Sequence, residues 1–129
     1  LTSTNNRAVL ISIAPNVQNV IICNAHLANG KHSIELQGNN SFISIMDVLA
    51  TNANEDGIAI TNSNNIFIQQ LRAYNHGANG IKITGTVNNC ALLFSFLNAN
   101  GLNGLTGTIN DLFISDTQFA NNSQNGLSI

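Results

Sequence analysis

The chain has 129 residues, of which 43% are hydrophobic and 8% are charged, with a formal net charge of −2. Disordered chains combine low hydrophobicity with high charge, so this composition indicates one folded domain. The four cations, Arg7, Lys31, Arg72 and Lys82, are scattered, which argues against a nucleic-acid partner, and no apolar run approaches the roughly 20 residues of a membrane span.

Short stretches of alternating apolar and polar residues recur from Leu10 onward. The first set comprises residues 10–13, 33–36, 57–60, 80–83, 104–107 and 126–129, at intervals of 22 to 24 residues. Two further sets keep the same phase, at residues 20–22, 43–45, 66–68, 90–92 and 112–114, and at residues 25–27, 48–50, 71–73, 95–97 and 117–119. Alternation with period two indicates half-buried strands, three in each period.

These strands are not joined in sequence by the two-residue turns of hairpins, so each is expected to pair with its equivalent one period away. Such pairing gives parallel sheets that rise ~4.8 Å per coil. The sequence therefore predicts an all-β solenoid, a right-handed parallel β-helix of about five coils with 22–24 residues per coil. The right hand follows from the usual handedness of parallel crossovers.

Asparagine recurs directly after the third strand of the repeat, at Asn29, Asn52, Asn75 and Asn121, with Ala99 in the fourth coil. Asparagine tolerates the left-handed backbone region, so we interpret these residues as turns. The chain begins at Leu1 rather than Met and ends within the repeat pattern. Residues 1–129 are accordingly expected to be a single repeat array cut from a longer protein, so the lack of a visible signal peptide says nothing about export.

The period, the Gly-Ile-x-Ile stretches at residues 57–60 and 80–83, and the Asn-Asn pairs at 64–65 and 88–89 resemble the right-handed parallel β-helix repeat family, the pectate-lyase-like superfold. That superfold includes pectate and alginate lyases, polygalacturonases, epimerases, phage tailspikes, adhesins and periplasmic accessory proteins. The resemblance implies an extracellular, cell-surface or periplasmic location. It leaves the function open, because one fold hosts many activities.

An acid pair, Glu55 and Asp56, precedes the strand Ile58-Ala59-Ile60 and looks like the paired-aspartate motif of polygalacturonases. Stacking of the coils is expected to bring His32 beside Asp56 and Lys31 beside Glu55. The resemblance implies catalytic roles for Glu55 and Asp56, with His32 and Lys82 assisting.

The chain departs from the polygalacturonase pattern one coil later, where Asn79-Gly80 stands in place of a His-Gly pair. The alternative is a solvated turn in which Lys31 and His32 balance the two acids. A surface pair of that kind contributes at most ~1 kcal/mol.

A second polar column contains Asp47, Gln70 and Asp116, with Phe94 interrupting it. A calcium site is the alternative, but two acids with Gln70 and Phe94 between them supply few of the six to eight oxygens that calcium takes, so polar turns are the favoured interpretation. The histidines show no zinc spacing. Cys23 and Cys90 are three coils apart, too far for a disulfide, and are expected to be apolar fillers. No metal or other cofactor is predicted.

One outward-facing column is apolar, with Ile21, Phe67 and Phe113 as its large members. Either a missing part of the parent protein covers this face, or it binds a partner, of which another subunit in a homo-oligomer is one kind. The chain has no Trp and one Tyr, so it lacks the residues that most often stack on sugars.

The sequence is compatible with two functions. The first is a rigid repeat segment of an exported or surface protein that presents one face to polysaccharide or to a protein partner. The alternative is a carbohydrate-active enzyme, a polysaccharide hydrolase or lyase of the polygalacturonase type. The sequence leaves open whether the protein is an enzyme.

Overall fold

The strands of this chain all pair in parallel and wind into stacked coils. The computed structural model describes residues 2–4 and 8–129, so Arg7 lies outside the described residues. In chain order the strands are β1 (Thr2–Thr4), β2 (Ile11–Ile13), β3 (Gln18–Ala28), β4 (Ile34–Leu36), β5 (Ser41–Thr51), β6 (Ile58–Thr61), β7 (Asn64–Tyr74), β8 (Ile81–Leu93), β9 (Phe96–Asn98), β10 (Leu105–Ser115), β11 (Gln118–Ala120) and β12 (Leu127–Ser128).

Each strand pairs with its equivalent in the next coil. Ile43 of β5, for example, faces Val20 of β3 on one side and Ile66 of β7 on the other. The short strands form their own parallel stack, in which β4 lies between β2 and β6. The prediction of a parallel β-solenoid of about five turns is confirmed.

Three corners of each coil are single residues with positive φ, which lie within a strand or directly after its last residue. They form three columns: Asn19, Phe42, Asn65, Asn89 and Asp111; Asn24, Asp47, Gln70, Phe94 and Asp116; and Asn29, Asn52, Asn75, Ala99 and Asn121. Most members are Asn or Asp, which adopt the left-handed region at the lowest cost after glycine. The predicted turn role of the third column is confirmed, and Asp47 and Asp116 also lie at corners.

The core is a narrow stack of aliphatic side chains that point into the coil. Ile43, Ile45, Ile66 and Ile68 are at most 1% exposed. Burying each such side chain contributes roughly 1.5–3 kcal/mol, so the repeated inward positions supply the stability that holds the outer faces in register. No helix among the described residues is long and apolar enough to cross a membrane.

The glycine that opens each Gly-Ile-x-Ile stretch is required by close packing between coils. A Cβ on Gly57 would lie 2.6 Å from the carbonyl oxygen of Gly80 and 2.6 Å from Nε2 of His76. A Cβ on Gly80 would similarly lie 2.6 Å from the carbonyl oxygen of Gly104. These positions therefore exclude side chains so that polar groups of the next coil can pack inside the turn.

Candidate functional site

The acid pair Glu55 and Asp56 lies in the turn before β6, next to residues of the preceding coil. Nζ of Lys31 is 4.0 Å from Oε1 of Glu55. Nε2 of His32 is 3.4 Å from Oε2 of Glu55, and its Nδ1 is 3.7 Å from Oδ2 of Asp56. Stacking thus brings Lys31 to Glu55 as expected, while His32 lies between both acids.

The two acids differ sharply in burial. Asp56 is 3% exposed and His32 is 6% exposed, whereas the side chains of Glu55 and Lys31 are about half exposed. The interpretation of this segment as a solvated turn is therefore wrong for the inner pair and applies only to Glu55 and Lys31. A buried carboxylate requires hydrogen bonds to offset its desolvation.

Asp56 obtains these bonds from an amide ladder that runs along the axis. Its Oδ1 accepts hydrogen bonds from the backbone N–H of Asn79 at 3.0 Å and from Nδ2 of Asn79 at 2.8 Å. Oδ1 of Asn79 accepts the same two bonds from Asn103, and Oδ1 of Asn103 accepts them from Asn125. Asp56 is the acidic member of this ladder, and the hydrogen bonds that its carboxylate accepts from Asn79 indicate a structural role.

His32, Glu55 and Asp56 offer ligand atoms within 4.8 Å of one another, which raises the question of a metal site. Nδ1 of His32 accepts the backbone N–H of Asp56 at 3.2 Å. The neutral ring therefore carries its proton on Nε2, the nitrogen that faces Glu55. With both ring nitrogens engaged, His32 has no free lone pair for a metal, and this donor set does not fit one.

Lys82, the fourth residue of the sequence-based catalytic set, lies apart from the acids. It is on the outer face of the short-strand stack, between Ala59 and Thr106 of the neighbouring coils. Within residues 2–4 and 8–129 it forms no ion pair with Glu55 or Asp56. The catalytic roles of Glu55, Asp56, His32 and Lys82 remain predictions.

A different face carries two adjoining hollows, which we call the axial groove. One hollow, of about 350 Å³, is lined by Asp47, Gln70, Arg72, Phe94 and Phe96. The other, of about 290 Å³, is lined by Thr2, Asn24, Ala25, His26, Asp47, Leu49 and Arg72. Because Asp47 and Arg72 line both hollows, the two form one groove that crosses five coils, from Thr2 to Phe96, ~19 Å along the axis.

Among the described residues, the charged side chains of the axial groove do not form ion pairs with one another. Arg72, Asp47 and His26 are exposed, and in the described part of the chain none of them forms an ion pair or a side-chain hydrogen bond. Ionic and polar groups held on rigid strands without partners are available to a ligand. The sequence pattern placed Asp47 in a polar column but did not indicate this meeting of Asp47 with Arg72 and His26.

Phe94 is unusual for its position at a groove corner. Its φ is 49°, in a column where the other members are Asn24, Asp47, Gln70 and Asp116, and its ring is 50% exposed. A bulky residue in the left-handed region costs roughly 1–2 kcal/mol, and a half-exposed ring recovers only part of that by burial. Phe96, two residues later, is 45% exposed. Residues held in strained backbone conformations cluster at ligand sites. Phe42 has the same strain and exposure, with a φ of 57° and 56% exposure, but lies outside the groove, so Phe94 is singled out by its position in the groove lining.

The apolar outer column predicted from the sequence divides in two. Phe67 and Phe113 line a hollow of about 330 Å³ together with Ala91, and Phe113 is 62% exposed. Ile21 is 66% exposed but lies two coils from Phe67, with Ser44 between them, and does not line this hollow.

The two cysteines differ from each other. Cys90 is buried as predicted, and burial raises the pKa of its thiol to about 11. Cys23 is exposed, so its assignment as an apolar filler is wrong. Cys23 precedes the corner residue Asn24, and its position in the strand directs it outward rather than into the core.

No family model matches this chain, and no curated protein matches it in sequence. The chain shares its fold with AlgG. Its structure superposes on the crystal structure of the periplasmic alginate epimerase AlgG with a TM-score of 0.73 and 19% sequence identity. The match covers 95% of this chain and 35% of that chain, so the chain spans about a third of the length of the protein it matches.

Proposed function

We propose that this chain is a rigid segment of a longer, exported β-solenoid that binds an acidic polysaccharide along the axial groove. The observation that carries the proposal is the unpaired Arg72, exposed beside the strained Phe94. A periplasmic polysaccharide enzyme with the same fold, the alginate epimerase AlgG, supports both the location and the class of ligand.

The chemistry of the groove suits a carboxylated sugar. The rings of Phe94 and Phe96 offer apolar faces for the C–H side of a pyranose. The guanidinium of Arg72 is a planar fork that matches a carboxylate in a bidentate pair. The carboxylate of Asp47 can accept hydrogen bonds from hydroxyl groups, and the amide of Gln70 can both accept and donate them. Because these side chains stand on successive coils, the bound chain would run parallel to the solenoid axis.

A second candidate function is chemistry on the same ligand, and His26 is the observation that favours it. His26 lines the groove beside Asp47 and Arg72. When an arginine neutralises the carboxylate of a uronate, the proton on the adjacent ring carbon becomes more acidic, and a neutral imidazole can accept it. Return of a proton from water to the opposite face of that carbon would invert it; alternatively, a carbon–carbon double bond forms as the bond to the glycosidic oxygen breaks, and that oxygen leaves with a proton from water. The axial groove is thus an alternative to Glu55 and Asp56 as an enzymatic site.

Binding is tested by calorimetric titration of the protein with hexasaccharides of mannuronate, guluronate and galacturonate. Arg72→Gln should weaken uronate binding about 10- to 100-fold, since a hydrogen bond to a charged group contributes about 1.5–3 kcal/mol. Lys82→Gln is the matched control, because it removes an exposed cation from a different face. Equal losses in both variants would indicate non-specific charge attraction, and no binding of any hexauronate would overturn the proposal.

Activity is tested on the same polymers by following reducing ends, unsaturated products and inversion of the uronate. Activity that is lost in His26→Gln and kept in Asp56→Asn would assign the chemistry to the axial groove. Activity that is lost in Asp56→Asn while the fold is retained would assign it to the acid pair. No product from any polymer would leave the binding role as the function.

A further inference from the structure

We propose that the hollow between Phe67 and Phe113 is a second carbohydrate site, which takes one uncharged pyranose ring. We call it the aromatic slot. Phe67, Ala91 and Phe113 are consecutive members of one outward column, in register across three coils. Two aromatic residues therefore stand two coils apart, ~10 Å between their Cα atoms, with a methyl group as the floor between them.

The spacing of Phe67 and Phe113 along the axis admits one pyranose ring between their side chains. Ring centroids in stacked pairs lie about 4.5–7 Å apart, so two such contacts in series need about 9 Å or more. One ring fits between Phe67 and Phe113, and a second layer does not. The hollow measures about 330 Å³, at the lower end of the roughly 300–1,000 Å³ of ligand pockets.

The corner residues beside the slot supply polar groups along one edge. Asn65, Asn89 and Asp111 line the hollow, and Nδ2 of Asn89 donates to Oδ1 of Asn65 at 3.2 Å. Asp111 is exposed and forms no ion pair among the residues that the structure describes. Its carboxylate can accept hydrogen bonds from two neighbouring hydroxyl groups.

The charge at the slot distinguishes its ligand from that of the axial groove. The carboxylate of Asp111 is the ionic group in the lining of the slot, and it would repel a uronate. Ser44 separates Ile21 from Phe67 in this column, and an apolar cover or a second copy of the chain would have to desolvate the polar edge of Asn65, Asn89 and Asp111. The aromatic walls and the polar edge together fit an uncharged pyranose.

The test uses Ala91→Leu, a substitution that fills the slot and at the same time adds apolar surface. Calorimetric titrations of the whole chain would use neutral hexasaccharides of β-1,4-linked glucose, mannose and xylose. We expect one of them to bind, and Ala91→Leu to weaken that binding about tenfold. Ala59→Leu is the matched control, since Ala59 is an outward alanine in the short-strand stack. Phe113→Ser removes one wall at a site that is 62% exposed, so it tests the slot without disturbing the core.

The outcomes separate this site from the axial groove. Arg72→Gln should leave the binding of neutral hexasaccharides unchanged, so failure of the uronate proposal would not affect this one. If no neutral hexasaccharide binds, or if Ala91→Leu and Ala59→Leu bind equally well, the proposal is overturned. A dimer in sedimentation that Ala91→Leu strengthens and Phe113→Ser dissociates would also overturn it, in favour of an interface between two copies.

Discussion

Asn79→Ala should destabilise the protein more than any exposed asparagine substitution, because Asn79 occupies the centre of the buried amide ladder. The change removes the bond from Nδ2 of Asn79 to Oδ1 of Asp56, which is 2.8 Å long. It also removes the acceptor of two donors on Asn103, the backbone N–H at 3.1 Å and Nδ2 at 3.0 Å.

The size of the effect follows from these three contacts. A hydrogen bond to a charged group contributes about 1.5–3 kcal/mol, and each buried donor left without a partner costs about 1–3 kcal/mol. Nδ2 of Asn103 keeps a long contact of 3.4 Å to Oε1 of Gln124, which reduces its share. The expected loss is about 3–5 kcal/mol, a large fraction of the roughly 5–15 kcal/mol that stabilises a typical domain.

Urea unfolding followed by far-UV circular dichroism measures the loss, and hydrogen exchange by mass spectrometry locates it. The amide of Asn103 should exchange much faster in Asn79→Ala, because its acceptor is the side chain of Asn79. Asn110→Ala is the control: Asn110 is exposed and its side chain donates one bond, 2.8 Å to Asn88. A loss below about 1 kcal/mol, or one equal to that of the control, would refute the structural role of the ladder.

Three further predictions concern titration, charge and thiol reactivity. Burial lowers the pKa of His76 from 6.5 to about 4, and a hydrogen bond with the Ala50 backbone and the charge of Asp56 partly offset this effect. Because the unfolded chain binds this proton more tightly than the folded chain, the free energy of unfolding should fall by about 3 kcal/mol between pH 6.5 and pH 4. His76→Asn, which introduces the residue found one coil later at Asn100, should abolish this loss when the unfolding free energy is measured by urea titration at pH 7 and pH 4.5. The same difference between the two pH values in His76→Asn and in the original protein would show that His76 is not its cause. Asp56→Asn keeps an acceptor for Asn79 and should change stability by less than about 1 kcal/mol, whereas Asp56→Ala should cost more than about 2 kcal/mol; equal losses by calorimetry would argue against the ladder. Cys23 should react with a maleimide in the native protein while Cys90 stays protected until unfolding, and two labels per native chain in a mass spectrum would contradict the burial of Cys90.

The coil register could be predicted because residues one repeat of 22 to 24 residues apart are the ones that pair between neighbouring strands. Once residues 43–45 are aligned with residues 66–68, the parallel pairs of Ile43 with Ile66 follow without further information. The turn role of Asn52 and Asn75 follows in the same way from their phase and their backbone preference.

The burial of Asp56 could not be predicted from its neighbours, because an acid pair before a glycine is typical of a solvated turn. The column of polar residues at the coil spacing, His32, Asp56, Asn79, Asn103 and Asn125, does not by itself indicate burial. Asn64, Asn88 and Asn110 repeat at the same spacing, and Asn110 is exposed.

The axial groove was missed for a different reason. Its walls are brought together by corners and strands of five coils, and Phe94 looked like an interruption of a polar column rather than a part of a site. Exposure and strain, which identify Phe94, are properties of the folded chain. The useful sequence signal is a bulky residue at a position where the column requires the left-handed region.

The central claim is that the axial groove binds an acidic polysaccharide, and mapping of amide chemical shifts during titration with a hexauronate tests it most directly. At 13.7 kDa the chain suits this measurement. The account predicts that shifts concentrate on the corner residues Asp47, Gln70 and Phe94 and on the strand residues Arg72 and Phe96, and that in Arg72→Gln they require about 10- to 100-fold more hexauronate. Shifts centred on Lys31 and Glu55, or none at any concentration of the hexauronate, would contradict it.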